Sequence, residues 1–194
     1  MQEHAIREGV IRALREGAEL RLQLIDNSAD IIIEASRAVY DCLRSGGKVL
    51  LFGNGGSAAD AQHIAAEFIG RFNRERQPLP AIALTTDTSA LTAIANDSGF
   101  DVIFARQVQA LCQPNDIVVA ISTSGRSANV LAGVTAARQQ GGRSVGLTGA
   151  NGGSLAEMVD IPIVIPSTDT ARIQECHITV GHLMCEIVDS LMGL

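Results

Sequence analysis

The chain has 194 residues, of which 46% are hydrophobic and 19% charged, and a net charge of −6. That composition suits one globular domain with a full-sized core, and no apolar run approaches the roughly 18 residues needed to span a bilayer. A pI near 5.1, one Tyr and no Trp exclude the basic, aromatic face of a nucleic-acid binder, so an anionic ligand has to be held by local devices such as helix N-termini, backbone N–H groups and hydroxyls.

The opening "MQEHAIREGVIRALREGAEL" mixes acids and bases with single apolar residues. It lacks the apolar core of a signal peptide, and cytosolic residence is expected. Residues 1–45 predict two helices. Ile11, Leu14, Ala18, Leu22 and Ile25 recur at helical spacing in the first, and Ile32, Ala35, Val39 and Leu43 in the second. "IDNSAD" lies between them, with Asn27 or Ser28 as the cap of the second. A helical pair ahead of any strand must bury its apolar stripe on its own sheet or on the same pair of another subunit, so a homo-oligomer is expected.

After "SGG" the pattern becomes strand, loop, helix. Short apolar or β-branched runs at 49–52, 81–84, 117–121, 144–147 and 161–165 predict five strands. Helices are predicted at 58–71, 90–96 and then 102–111, 128–140, 155–158 and 173–191, and "NRERQPLP" reads as a loop because of its two prolines. Strands alternating with helices imply a parallel sheet, since each parallel crossover needs a dozen or more residues. The expected fold is α/β, a three-layer α/β/α sandwich around a five-stranded parallel sheet. One domain is expected over 1–194, with 1–45 as a helical oligomerisation segment within it.

Two loops carry ligand-binding character. "LLFGNGGSAADAQHIAAEF" runs from a strand through a glycine-rich turn into a helix. Gly53, Gly55 and Ala58 match G-x-G-x-x-A, but the next strand ends about 30 residues on, where a dinucleotide site expects its acid after about 20. The loop also lacks the G-K-[ST] of a triphosphate site. The second loop, "VVAISTSGRSANV", places Ser122, Thr123, Ser124 and Ser127 around Gly125 at the start of a helix, a neutral cradle for a phosphate monoester. A single serine there would be an ordinary N-cap; four hydroxyls in six positions exceed that need. In an open α/β sheet both loops reach the carboxyl edge, where they line one site.

His63 and Glu67 stand one turn apart on the helix after the first loop, near enough to share a metal or to form a surface pair. Aldose–ketose exchange through an enediol needs a base at carbon and a polarised oxygen, which a carboxylate with a metal or imidazole supplies. His182, within "VGHLMCEIV", also reads as a core histidine. Cys42, Cys112, Cys176 and Cys185 form no C-x-x-C pair, so packed, reduced thiols are expected.

The segments "GNGGSAADAQHIAAEFIGRF", "LTAIANDSGF", "AISTSGRSAN" and "RIQECHITVGH", in this order, resemble the sugar isomerase (SIS) domain family and, within it, the phosphoheptose isomerases. These interconvert sedoheptulose 7-phosphate and D-glycero-D-manno-heptose 7-phosphate, the first step toward the nucleotide-activated heptose of lipopolysaccharide. The resemblance implies that Ser57, Ser122, Thr123, Ser124 and Ser127 hold the phosphate. Asn54, Gly55, Gly56, Asn96 and Asp97 would line the sugar, with Arg71 and Gln174 approaching it. It further implies zinc held by His63, Glu67, Gln174 and His182, with Glu67 as the base and His182 as the acid, in a tetramer.

If Gln174 and His182 share one continuous helix, their separation of about 12 Å is long for a common ion. Either the helix starts after Gln174 or the two come from different subunits. Ala171 stands where the family often has an acid, with Asp169 two residues earlier, and Arg126 stands where Asn is common; Arg126 adds an anion contact or faces solvent. SIS relatives that bind the DnaA replication initiator are the alternative, as is action on, or sensing of, another sugar phosphate. The initiator-binding relatives tend to lose the groups at Glu67 and His182, and both are present here.

Overall fold

The computed structural model describes residues 2–193. Five parallel strands form one sheet in the order β2-β1-β3-β4-β5. They are β1 (Val49–Gly53), β2 (Ala81–Ala83), β3 (Ile117–Ser122), β4 (Arg143–Gly149) and β5 (Ile161–Ile165). The helices are α1 (Gln2–Arg44), α2 (Gly56–Ile69), α3 (Thr88–Ser98), α4 (Ile103–Leu111), α5 (Ala128–Gln139), α6 (Gly153–Met158) and α7 (Thr170–Leu191), with a 3₁₀ turn at Phe100–Val102.

Because side chains alternate across a strand, the central strands feed two cores. Val49, Leu51, Ile117, Val119 and Ile121 join α1, α2 and α7 on one face. Leu50, Phe52, Val118 and Ala120 join α4, α5 and α6 on the other. Both faces are covered, which is why the strands read as continuous apolar runs. Fully buried side chains such as Phe52, Leu50, Leu51 and Ile121 each stabilise the fold by roughly 1.5–3 kcal/mol. No helix among the described residues is long and apolar enough to cross a membrane.

The N-terminal segment differs from expectation. It is one helix of 43 residues, not two. Asp26, Asn27 and Ser28 carry cap chemistry, but a continuous stripe of Gly17, Leu20, Leu24, Ser28 and Ile32 runs past them, buried. Each such residue costs the helix only a few tenths of a kcal/mol, less than the stripe recovers against α7. The stripe named for the first helix is the uncovered one: Leu14, Leu22 and Ile25 are 68%, 62% and 65% exposed.

Strand order places the site. The chain steps from β1 outward to β2, then returns across β1 to β3, so the loops after β1 and β3 diverge at a switch point at the carboxyl edge. Gly53 pairs with Ile121 in register, which brings the two loops level.

Candidate active site

The loop after β1 is shaped by close backbone packing. A Cβ on Gly53 would lie 2.7 Å from the Ile121 carbonyl oxygen and 2.8 Å from Ser57 Cβ, so only glycine lets the turn approach β3. Gly55, with φ +57°, opens α2. Asn54 and Asn129 exchange two side-chain amide hydrogen bonds, of 2.8 and 2.9 Å, and bolt the two loops together across the switch point. The Asn54 side chain is thereby engaged, while Gly55 and Gly56 beside it are exposed.

The loop after β3 gathers hydroxyls. Ser122 and Ser127 Oγ lie 3.0 Å apart, and Ser124 Oγ accepts the Arg126 N–H at 3.3 Å. Ser127 occupies the N-cap position of α5 without a side-chain capping bond, so capping does not account for its hydroxyl. Ser57 is buried in the first turn of α2 on the opposite wall. Thr123 and Ser124 face a cavity of about 210 Å³ between this loop and those after β4 and β5.

Helices α2 and α7 pack in parallel: Gly56 lies against Gln174, and Gly181 against Ile64. At both crossings glycine makes the approach possible, because a Cβ there would enter the facing side chain. The groove between them holds His63, Glu67 and His182. His63 Nε2 is 3.2 Å from Glu67 Oε1 and 3.2 Å from His182 Nε2. One ligand atom from each of the three can be chosen so that all lie within 4.8 Å of one another. A ring nitrogen has one N–H or one lone pair, and His63 Nε2 faces two partners with it. A divalent ion with bonds of about 2 Å in tetrahedral array sets its ligand atoms roughly 3.3 Å apart, close to the two 3.2 Å separations from His63 Nε2. Two imidazoles and a carboxylate suit a borderline ion of the zinc type.

The ends of this groove are anchored. Phe72 lies tilted against His182, with ring centroids 5.4 Å apart. Arg76, buried, donates to the Glu67 carbonyl at 2.8 Å, the Phe68 carbonyl at 2.7 Å and Asp189 Oδ1 at 2.7 Å. One guanidinium thus caps the last turn of α2 and fixes the backbone that carries Glu67.

Gln174 stays apart from the triad. Helix α7 is unbroken from Thr170 to Leu191, so the alternative in which it begins after Gln174 is excluded. Eight residues of α-helix separate Gln174 from His182 by about 12 Å along the axis, and Gln174 sits over Gly56 at the first turn of α2. Arg71 lies beyond the end of α2, exposed, 3.2 Å from Glu75. Asn96 and Asp97, on α3, are exposed and hydrogen-bonded to each other at 2.8 Å. Asp169 caps α7, accepting from the Ala171 and Arg172 N–H groups at 2.8 and 3.2 Å, so its carboxylate serves the helix.

Two titratable groups were not singled out by sequence. Asp60 shares the α2 face of His63 and Glu67, three residues before the first. Burial pushes its carboxyl up to about 6, opposed by the nearby His63, and Oδ2 has no hydrogen-bond partner. Its 60, 63, 67 spacing was the available signal. His177 is fully buried in α7 with Nε2 3.2 Å from the Thr148 carbonyl; burial drives it down to about 4, opposed by that bond. The four cysteines are buried and unpaired. Burial holds Cys42 up at about 11 and Cys185 at about 12, with nearby carboxylates adding to both, so they are packed thiols, not nucleophiles.

The SIS domain profile matches residues 14–149. The phosphoheptose isomerase of Aquifex aeolicus is 52% identical, over 95% of this chain and 97% of the relative. That of Roseiflexus sp. is 56% identical, over 93% and 91%. Among solved structures, phosphoheptose isomerase GmhA from Neisseria gonorrhoeae superposes with a TM-score of 0.91 at 45% identity, covering 95% of this chain and 99% of that one. With sequence identity this high along nearly the whole length, and with the same fold, the chain belongs to the SIS domain family and, within it, to the phosphoheptose isomerases.

Proposed function

We propose that this chain interconverts sedoheptulose 7-phosphate and D-glycero-D-manno-heptose 7-phosphate through an enediol, supplying heptose for a nucleotide-activated sugar of the lipopolysaccharide type. The observation that carries the reading is the placement of Glu67 Oε1 and His182 Nε2, each 3.2 Å from His63 Nε2, in a groove that begins at a hydroxyl-lined turn. The rise of about 9 Å along α2 from Ser57 to His63 is of the order of the extended span from a terminal phosphate to the carbonyl of a seven-carbon sugar.

In this reading Ser57, Ser122, Thr123, Ser124 and Ser127, with the N-termini of α2 and α5, bind the phosphate. Gly55, Gly56 and Gln174 follow along the sugar. Glu67 removes the proton from the carbon next to the carbonyl and, its carboxyl reached by solvent for exchange, delivers a proton to the neighbouring carbon. His182 holds and moves the proton at the oxygens and assists ring opening. His63, Glu67 and His182 would hold zinc, which when bound polarises the carbonyl and lowers the barrier to enolisation. Within one copy Gln174 contacts the sugar; its metal contribution, and those of Arg71, Asn96 and Asp97 to the sugar, come where a second copy closes the cleft.

The uncovered side chains of α1 support an assembly of several copies. Ile6, Val10, Leu14, Leu22 and Ile25 are each more than half exposed, and Leu24, Ile25, Ile32, Ile33, Leu183 and Ile187 line an apolar groove of about 270 Å³. A second copy of α1 has the chemistry to cover them, and we read the protein as a homotetramer in the cytosol. Ile25→Glu should shift the mass seen by light scattering toward dimer or monomer; an unchanged tetramer would move the interface elsewhere.

The test of function is conversion of sedoheptulose 7-phosphate by purified protein, after chelation and again after zinc is restored. Zinc-responsive turnover supports the reading. A folded oligomer inactive in both states contradicts it and favours the binding role.

A further inference from the structure

We propose that Arg126 is a phosphate-binding residue of this chain, its guanidinium closing the outer side of the hydroxyl cradle against the phosphate dianion. This rests on the reading of the loop after β3 as the phosphate site.

The cavity of about 210 Å³ beside that loop has Thr123, Ser124 and Arg126 on one side and, on the other, residues of the loops after β4 and β5 and the first turn of α7, among them Asn151, Thr168 and Thr170. Five of its eight lining residues offer hydroxyl or amide groups, and Arg126 is the cation among the eight. The cavity is built, not a gap between mobile loops. Gly125, at φ +63°, sits where any Cβ would collide with the Gly152 carbonyl. The Leu155 N–H donates to the Gly125 carbonyl at 2.9 Å, and Thr148 Oγ1 donates to the Gly152 carbonyl at 3.1 Å. The Ala150 N–H donates to the Ser167 carbonyl at 2.7 Å and so ties the β4 loop to the β5 loop. Ala150, at φ +52°, is the non-glycine residue held in the left-handed region among the described residues, a strained conformation kept at the rim of this cavity.

Charge decides what the cavity takes. Arg126 is exposed and enters none of the ion pairs among the described residues. The nearest acid along the facing loop, Asp169, is turned into the α7 cap. The Arg126 N–H fixes the Ser124 hydroxyl from the same loop, so charge and hydroxyl are set side by side. In a protein of net charge −6, a phosphate dianion meets an unfavourable overall field, and a guanidinium offers two parallel N–H donors to two of its oxygens. Hydroxyls and helix N-termini then give shape, and Arg126 gives discrimination between a phosphorylated and a neutral sugar.

The experiment compares wild type with Arg126→Gln and Arg126→Lys. KM for sedoheptulose 7-phosphate is read at low and high ionic strength, and inorganic phosphate binding is read separately by titration calorimetry. Loss of a charge-assisted bond should raise KM and the phosphate Kd about tenfold in Arg126→Gln, with kcat within about twofold of wild type. The salt dependence of KM should flatten in Arg126→Gln and persist in Arg126→Lys, which keeps the charge but not the fork. Unchanged KM and unchanged phosphate affinity in Arg126→Gln would overturn the proposal. Absence of turnover in wild type would remove the isomerase reading, while the calorimetric comparison would still decide Arg126.

Discussion

The two ends of the cleft are built in opposite ways. The end we assign to phosphate is made of loops, short hydroxyl side chains and glycines whose missing Cβ lets one backbone touch the next. The chemical end is made of helices, with His63, Glu67 and His182 projecting into an open groove from α2 and α7. In the proposed reaction phosphate is the part of the ligand that does not react, and a backbone cradle would hold it without large side chains. Proton transfer needs groups whose charge state changes, and helices place these at fixed spacing while leaving them accessible to metal and solvent. If this division is correct, substitutions at one end should change rate and at the other end affinity.

The largest effect is expected from Glu67→Gln, which keeps the shape but removes the base: kcat should fall about 10³-fold, with phosphate affinity held. Loss of affinity without loss of kcat would reverse the assignment of the two ends. Next is Arg76→Ala. Arg76 and Asp189 are 2% and 4% exposed, so removing one leaves an uncompensated buried charge and should cost roughly 3–5 kcal/mol in urea unfolding. A near-neutral result would show that the α2 end does not depend on this clamp.

His177 tests the wall shared by α7 and the β4 loop. Its folded pKa, about 4, lies below the ordinary value near 6.5, so the unfolded chain binds the proton first. Its contribution to stability is complete above about pH 6.5 and is lost as pH falls toward 4, by roughly 2–3 kcal/mol. His177→Gln should flatten that part of the stability profile, and an unchanged slope would assign it to other groups. The smallest effect belongs to Ser124→Ala, which should raise KM a few-fold, by roughly 1 kcal/mol of binding, with kcat unchanged. An effect on kcat alone would contradict the cradle.

Legibility in the sequence followed the locality of each signal. The strands are apolar runs between turn residues, and 161–165 coincides with β5, whereas β4 extends to Arg143 and Gly149, polar or glycine-rich ends that carry no strand signature. The break expected in α1 failed because local cap chemistry at Asp26, Asn27 and Ser28 lost to a stripe whose partner, α7, lies far along the chain. At the site, the His63 and Glu67 pair and the crowded serines are local patterns. The Asn54 and Asn129 bond and the cavity wall of Asn151, Thr168 and Thr170 exist only because the sheet brings separate loops to one edge. The positions of Asn54, Asn151 and Thr168 just after strands were the one hint available.

The most direct test of Glu67 as the proton carrier is isomerisation in deuterium oxide, followed by NMR of the substrate carbons, for wild type and Glu67→Gln. The account predicts deuterium at the carbon beside the carbonyl in wild type and none in Glu67→Gln, which still binds phosphate. Deuterium incorporation by Glu67→Gln at the wild-type rate would contradict it.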